Sequence, residues 1–367
     1  MTYLSGIALA AWLYLVFGNG GYWRMNQHLP ARREPARWPS VVAVVPARNE
    51  AAILPDTLPT LLRQDYPGDF QVVLVDDAST DGTGDVAKQL GDLRVVIGNG
   101  PPPGWTGKVA AMARGVDAAG APDFLLFTDA DIAHPPDSVR SLVASAGDRD
   151  LVSLMARLRT ETFAERAIVP AFVYFFAQLY PFARVNRPGR TAAAAGGCVL
   201  LRRSALDAAG GLAEIRTALI DDVALARLVK RRGSIWLGLS TSVRSLRSYP
   251  RLADLWDMVA RSAYTQLRYS PLLLVGTVVG LLVLYAVPPV LGIVGLVAGQ
   301  WLTAVSGLVA WLLMAGSYVP MLLRYGQSPL WAPFLPAVAL VYAGMTVDSA
   351  LRHRRGRGGA WKGRTLG

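Results

Sequence analysis

"LLFTDADIAHPPDS" (125–138) joins an apolar run to two aspartates one residue apart, Asp129 and Asp131. A short apolar run bounded by turn formers reads as a strand covered on both faces. Two like charges at its end repel each other and resist burial, so something must compensate for them. Outward from this stretch, "SVVAVVP" (40–46), "QVVLVDD" (71–77) and "LRVVI" (93–97) are runs of the same kind, and the strand itself spans "DFLLFTD" (123–129). Between them, "EAAILPDTLPTLLRQ" (50–64) reads as a helix despite its prolines, and "GKVAAMARGVDAA" (107–119) as another. Strands alternating with helices indicate βαβ units and a mostly parallel sheet, an α/β fold. In such sheets ligands bind outside the carboxyl ends of the strands. That is where the acids fall: Asp76 and Asp77 after one strand, Asp129 and Asp131 after another.

The chain has 367 residues, enough for one such domain and a membrane part. Only 17% of residues are charged, against about 25% in an average soluble domain. The deficit is local. No charge precedes Arg24, none lies between Arg268 and Arg324, and none between Arg324 and Asp348. A helix needs roughly 20 apolar residues to cross a bilayer, so one span fits within residues 1–23 and two or three within 271–350. The N-terminal stretch lacks the basic start and small-residue cleavage site of a secretory signal and runs into Arg24, Arg32, Arg33 and Arg37. It reads as a retained anchor with a cytoplasmic C-terminal flank. Residues 24–39 form a Pro/Arg-rich linker. "FAERAIVPAFVYFFAQLYPFA" (163–183) carries Glu165 and Arg166 and reads as interfacial or acceptor-facing rather than spanning. Residues 251–270 read as one amphipathic helix on the membrane surface, followed by membrane helices to 350 and a basic tail over 351–367. The net charge of +11 suits anionic lipid better than nucleic acid, because the arginines crowd beside the apolar segments. A single cysteine, Cys198, excludes an internal disulfide and fits a reducing compartment.

The compensating group for strand-end carboxylates is economically a divalent cation, Mg²⁺ or Mn²⁺. Such ions prefer oxygen ligands, and Mg²⁺ is usually held by one or two carboxylates plus substrate phosphates. Asp131 would be a ligand and Asp129 would lie by it or by a ribose; the plainer reading is that both merely build the turn. Asp76 and Asp77 could hold a base and ribose, the plainer reading being an Asx turn built by Asp77 and Ser79. In "PARNE" (46–50), Pro46 ends a strand, and Arg48, Asn49 and Glu50 sit where a helix begins, as ligand contacts or as caps. "GWTGK" (104–108) brings Lys108 to a helix start, suited to a phosphate or simply solvated. Gly196 and Gly197, in "AAAAGGCVLL", let a ligand approach the backbone closely. Asp221 and Asp222 open a helix that ends in Arg227, Lys230, Arg231 and Arg232, an order that the helix dipole explains by itself. The three histidines, His28, His134 and His353, form no cluster, so zinc is not expected. A dinucleotide-binding oxidoreductase should show G-x-G-x-x-G after the first strand; "PARNEA" has no glycine.

Taken in order, "VVPARNEAAIL", "VLVDDASTDGT", "GWTGK", "FTDAD", "GGCVLLRRSALDAAGGL" and "IDDVALARLVKRRG" resemble the family 2 glycosyltransferases of GT-A fold, over roughly residues 40–270. Within them the chain looks most like the membrane-bound enzymes found with hopanoid biosynthesis, and more distantly like ceramide glucosyltransferases. The resemblance implies an inverting transfer from a nucleotide-diphosphate sugar, most simply a UDP-sugar, to a membrane lipid. Pro46 to Glu50, Asp76, Asp77, Lys108 and Asp129 would contact the donor, Asp131 the metal, and Asp222 would be the catalytic base. Asp221 stands where the family more often has Glu. Processive relatives carry Q-x-x-R-W before their membrane helices; "TQLRY" departs from it, so Gln266 and Arg268 become phosphate or acceptor contacts and processivity is not expected. The location implied is a bacterial-type inner membrane with the catalytic domain in the cytoplasm. A sugar-nucleotide-binding partner without activity is the alternative.

Overall fold

The computed structural model describes residues 1–358; most of the basic tail lies outside them. The described chain forms two compact units.

The first unit, Asn26–Arg159 with Val185–Ser248, is built on an eight-stranded sheet. The strands are β1 Val41–Ala47, β2 Phe70–Asp77, β3 Arg94–Gly98, β4 Phe124–Thr128, β5 Ile132–Ala133, β6 Leu151–Arg157, β7 Cys198–Arg202 and β8 Ile235–Ser245. Their order is β3-β2-β1-β4-β7-β6-β8-β5. β1, β2, β3 and β4 run parallel, as do β6 and β8. β7 is antiparallel to both its neighbours, and β5 to β8. The apolar runs at 40–46, 71–77, 93–97 and 123–129 are thus strands within a residue or two. β1 is buried along its whole length, as a strand covered by helices on both faces must be. Register sets the site: Ala47 lies beside Asp76, and Thr128 beside Cys198, so the acid-bearing ends of β1, β2 and β4 share one edge. The Gly107–Ala118 helix packs on β1 through Gly115, where a Cβ would stand 2.3 Å from a Val44 methyl carbon. The expected helix over 50–64 is shorter, Leu54–Leu62, with Pro55 in its first turn, where proline is well tolerated, and Pro59 inside it.

The second unit comprises Met1–Met25, Thr160–Arg184 and 249–358. The segment 160–184 belongs to this unit, not to the sheet unit that the contiguous span 40–250 would imply. Among the described residues, four helices are long and apolar enough to cross a membrane: Phe163–Val185, Pro271–Val297, Trp301–Arg324 and Pro329–Arg354. The helix expected as the anchor, Thr2–Gly18, is shorter than these. β6 before Phe163–Val185 and β7 after it pair in one sheet, so this helix does not cross a membrane alone, and Glu165 sits at its start. It completes a capping box with Thr162, and its second oxygen accepts from the Tyr249 amide. The 271–297 helix runs on through Pro288–Pro289. A π-turn at Leu282–Ala286 absorbs the prolines, and the Leu284 carbonyl, four residues before Pro288, accepts instead from the Trp12 indole at 2.6 Å. Gly292, Gly295 and Gly307 let this helix and the Trp301–Arg324 helix meet backbone to backbone. The single amphipathic helix expected over 251–270 is two short helices, Leu252–Ala260 and Ala263–Gln266. Arg268 and Tyr269 then adopt left-handed backbone (φ 52° and 56°), which no helix continues through.

Candidate active site

The carboxyl edge of β1, β2 and β4 and the start of β7 gather most of the residues picked out by sequence. Lys108, on the first turn of the 107–118 helix, lies at their centre. Its Nζ is 2.8 Å from Asp129 Oδ1 and 3.3 Å from Asp221 Oδ2. It is therefore neither solvated nor free to serve only a phosphate; it joins the end of β4 to the start of the Asp221–Lys230 helix. Burial alone would pull the Lys108 ammonium down, but the surrounding carboxylates of Asp129, Asp221 and Asp222 hold it above its ordinary value, so it stays charged. Asp129 is pushed up by burial, pulled back by Lys108, and raised again by Asp131.

Asp222 is held by the backbone. Its Oδ2 accepts from the Gly196 amide at 2.9 Å and its Oδ1 from the Val223 amide at 2.7 Å. Gly196 leaves room here: a Cβ would lie 3.2 Å from Lys108 Nζ and 3.4 Å from Asp222 Oδ2, in the space where the two groups face each other. Burial, then the neighbouring Asp221 carboxylate, push the Asp222 carboxyl up to about 7, against the pull of Lys108 and the two amides. A cleft lined by Pro46, Lys108, Thr128, Asp129, Gly196, Asp221 and Asp222 opens between them. The Gly197 carbonyl accepts from Thr128 Oγ1 at 2.9 Å, and Thr128 bonds His134 Nε2 at 2.8 Å. Burial holds His134 down to about 4, so it is a neutral core histidine.

The other side of the edge is also tightly bonded. Asp76 Oδ1 accepts from the Ser79 amide and Oδ2 from the Gly84 amide, both at 3.0 Å. The turn after β2 is thus an Asx turn built by Asp76 rather than Asp77. Asp77, wholly buried, is 3.1 Å from the Arg114 guanidinium. Arg48 donates to the Asp77 and Ala78 carbonyls, and Asn49, in left-handed backbone, accepts from the Thr80 amide. Both acids shape the loop that would cradle a base.

Asp131 Oδ2 accepts from Ser245 Oγ at 2.6 Å and lies 3.3 Å from Arg247 Nε, while Arg247 Nη2 is 2.7 Å from Glu50 Oε1. Sequence reading passes over Arg247 and Ser245, because β8 is polar at Ser240, Thr241 and Ser242 and shows no apolar run at its end. Had that strand been recognised, the rule that ligands gather at strand ends would have pointed to 245–247. Gln266 and Arg268 are not grouped with the acids; they belong to the helical unit, where Gln266 Nε2 donates to Tyr180 Oη at 2.5 Å.

Lys108 thus joins Asp129 to Asp221, and Arg247 joins Glu50 to Asp131. Oxygen donors of this kind fit a divalent cation such as Mg²⁺ or Mn²⁺. No cluster of three or more His, Cys, Asp or Glu side chains forms a ready cage among the described residues. That leaves the mode in which one carboxylate and a ligand's phosphates share the ion.

Residues 42–210 match the sequence profile described as Glycosyl transferase family 2. This stretch of the chain is similar to the family 2 glycosyltransferases. It covers β1 to β7 and Lys108, Asp129, Asp131 and Gly196, and stops before Asp222. An N-acetylglucosaminyltransferase of Mesorhizobium japonicum is 32% identical over 188 residues, 48% of this chain and 42% of that protein. A 4,4'-diaponeurosporenoate glycosyltransferase of Staphylococcus aureus is 31% identical over 130 residues, 34% of each chain. The chain spans less than half the length of these curated relatives. In three dimensions it is similar to the mannosyltransferase PcManGT from Pyrobaculum calidifontis, solved in complex with GDP-Man and Mn²⁺, with a TM-score of 0.55 and 18% identity over 95% of this chain and 99% of that one. That likeness shows a GT-A fold with a helical C-terminal part.

Proposed function

We propose that the chain transfers a sugar from a nucleoside-diphosphate sugar to a hydroxyl of a membrane lipid, with inversion at the anomeric carbon. The observation that carries this reading is Asp222. A carboxyl held near 7 and aimed into the cleft beside Lys108 is tuned to take a proton at neutral pH. In the reaction, Asp222 accepts the acceptor's hydroxyl proton as that oxygen attacks the anomeric carbon. The bond from that carbon to the diphosphate breaks on the opposite face. Lys108 keeps its charge beside the departing phosphates, and Asp129 keeps Lys108 in place. Asp131 is the residue to hold a divalent cation with the diphosphate, which when bound supplies further positive charge to the leaving group. Arg48, Asn49, Asp76 and Asp77 hold the loop against which the nucleoside would rest.

The lipid acceptor is supported by the apolar helices, and a hopanoid by resemblance of the sequence. The domain scheme follows: an anchor near 1–23, the linker 24–39, a catalytic domain within 40–250, surface helices over 251–270 and spans to 350. The catalytic side would face the cytoplasm of a bacterial-type inner membrane, where Arg24 to Arg37 and the nine Arg and Lys between 227 and 268 would lie. The test incubates membranes containing the chain with a panel of labelled UDP- and GDP-sugars and separates the extracted lipids. Label in a lipid that is absent with Asp222→Asn supports the reading. Sugar-nucleotide binding with no labelled lipid from any donor would leave only a binding partner.

A further inference from the structure

Arg247 stands between two acids that come from distant motifs, Glu50 after β1 and Asp131 after β4. Its contacts divide cleanly, Nη2 to Glu50 at 2.7 Å and Nε to Asp131 at 3.3 Å. The strand end that carries it is fastened to the same aspartate: the Leu246 amide donates to the Asp131 carbonyl at 2.9 Å, and Ser245 Oγ to Asp131 Oδ2 at 2.6 Å. Glu50 and Asp131 are buried while the Arg247 side chain is 28% exposed. Without a cation the two acids would repel each other at low dielectric. With a divalent cation on Asp131, the guanidinium would instead face a like charge at close range.

We infer that Arg247 is the internal counter-ion of the cation site, so that it and a divalent metal compete for Asp131 and the metal binds well only together with the anionic donor. The inference rests on the proposed role of Asp131. Its consequence is a coupling. A donor diphosphate supplies negative charge that satisfies the metal and the guanidinium together. Metal and nucleotide should then raise each other's affinity by one and the same factor.

The probes are Mn²⁺, followed by electron paramagnetic resonance, and UDP or GDP, whichever nucleoside diphosphate the wild-type chain binds. They are applied to the full chain in detergent. For Arg247→Met, Mn²⁺ alone should bind on the order of tenfold more tightly than to wild type, the scale on which one close charge moves an ionic equilibrium. With nucleotide present the gain should largely vanish, so the coupling factor falls. Arg247→Lys keeps the charge and should stay near wild type. Arg247→Gln keeps a donor for Glu50 without the charge and repeats the measurement if the Met variant does not fold. Unchanged Mn²⁺ affinity in the uncharged variants, with binding lost in Asp131→Asn, overturns the counter-ion role and leaves the metal site standing. Wild-type Mn²⁺ binding by Asp131→Asn removes the metal site itself, and the counter-ion with it.

Discussion

Asp222→Asn should make the protein more stable and nearly inactive at the same time. Asp222 binds its proton more tightly folded than unfolded, so between about pH 4 and 7 rising pH weakens the folded state. A carboxyl held at about 7 instead of 3.8 costs the folded state up to about 4 kcal/mol once fully ionised. The amide removes that cost. It has one oxygen where the carboxylate has two, so either the Gly196 or the Val223 amide loses its acceptor, at about 1 kcal/mol. The net is a gain of about 2–3 kcal/mol at pH 8, smaller at pH 5 and gone near pH 4. For a unit of this size that is several degrees in Tm. Transfer, meanwhile, should fall by about 10² to 10⁴, the worth of a general base. The assay is thermal unfolding of the detergent-solubilised chain at pH 8 and pH 5, paired with single-turnover transfer and donor affinity, which should survive. Near-normal transfer would remove Asp222 from the catalytic role. A lower Tm than wild type at pH 8 would refute the burial reasoning behind its raised pKa.

Asp131→Asn should weaken donor binding as well as turnover, and a chelator should do the same to wild type; titrating nucleotide with and without Mn²⁺ checks both. His134 resists protonation until about pH 4, so the folded state should lose up to about 3 kcal/mol as pH falls from 6.5 to 4. His134→Gln should make the acid limb of Tm against pH shallower, and an unchanged limb would clear His134 of it. Gly307→Val places a Cβ 2.5 Å from the Gly292 nitrogen and should cost about 2 kcal/mol or more, read as lower thermal stability in detergent with the sheet unit's nucleotide binding retained while folded. Among the described residues three helices after residue 270 are long and apolar enough to span; with all three crossing and the catalytic side cytoplasmic, a cysteine at position 360 should label from outside intact cells, and protection from outside reagents would demand an even number of crossings.

Strands β1 to β4 were legible because they are continuous apolar runs, and β2 and β4 lead into the acids. The pairing of motifs was partly legible. Asp129 and Asp131 announce a charged site, but that Lys108 would bind both Asp129 and Asp221 depends on how the 107–118 helix is aimed, which only packing through Gly115 decides. Arg247 was hidden because β8 is polar near its end and takes its place by pairing with β6, not by its own pattern. In the helical segments two features needed the structure to read: Glu165 is a helix cap, while Phe163–Val185 does not cross a membrane alone because β6 before it and β7 after it pair in one sheet, and the prolines at 288–289 are accommodated because the Trp12 indole bonds the Leu284 carbonyl.

The interleaving of the two units has a consequence for biosynthesis. The chain crosses from helices to sheet at residue 26, back at 160, again to sheet at 185, and finally to helices at 249. Neither unit is a continuous segment of the gene. A ribosome that has delivered Phe163–Val185 must still make the last strands before the helices that cover it exist; Tyr342, whose hydroxyl donates to the Ile168 carbonyl, emerges near the end. Trimming the last helices to obtain a soluble catalytic fragment would strip that apolar helix of its neighbours and yield an aggregating product. Production strategies should therefore keep the chain whole and insert it in a bilayer during translation.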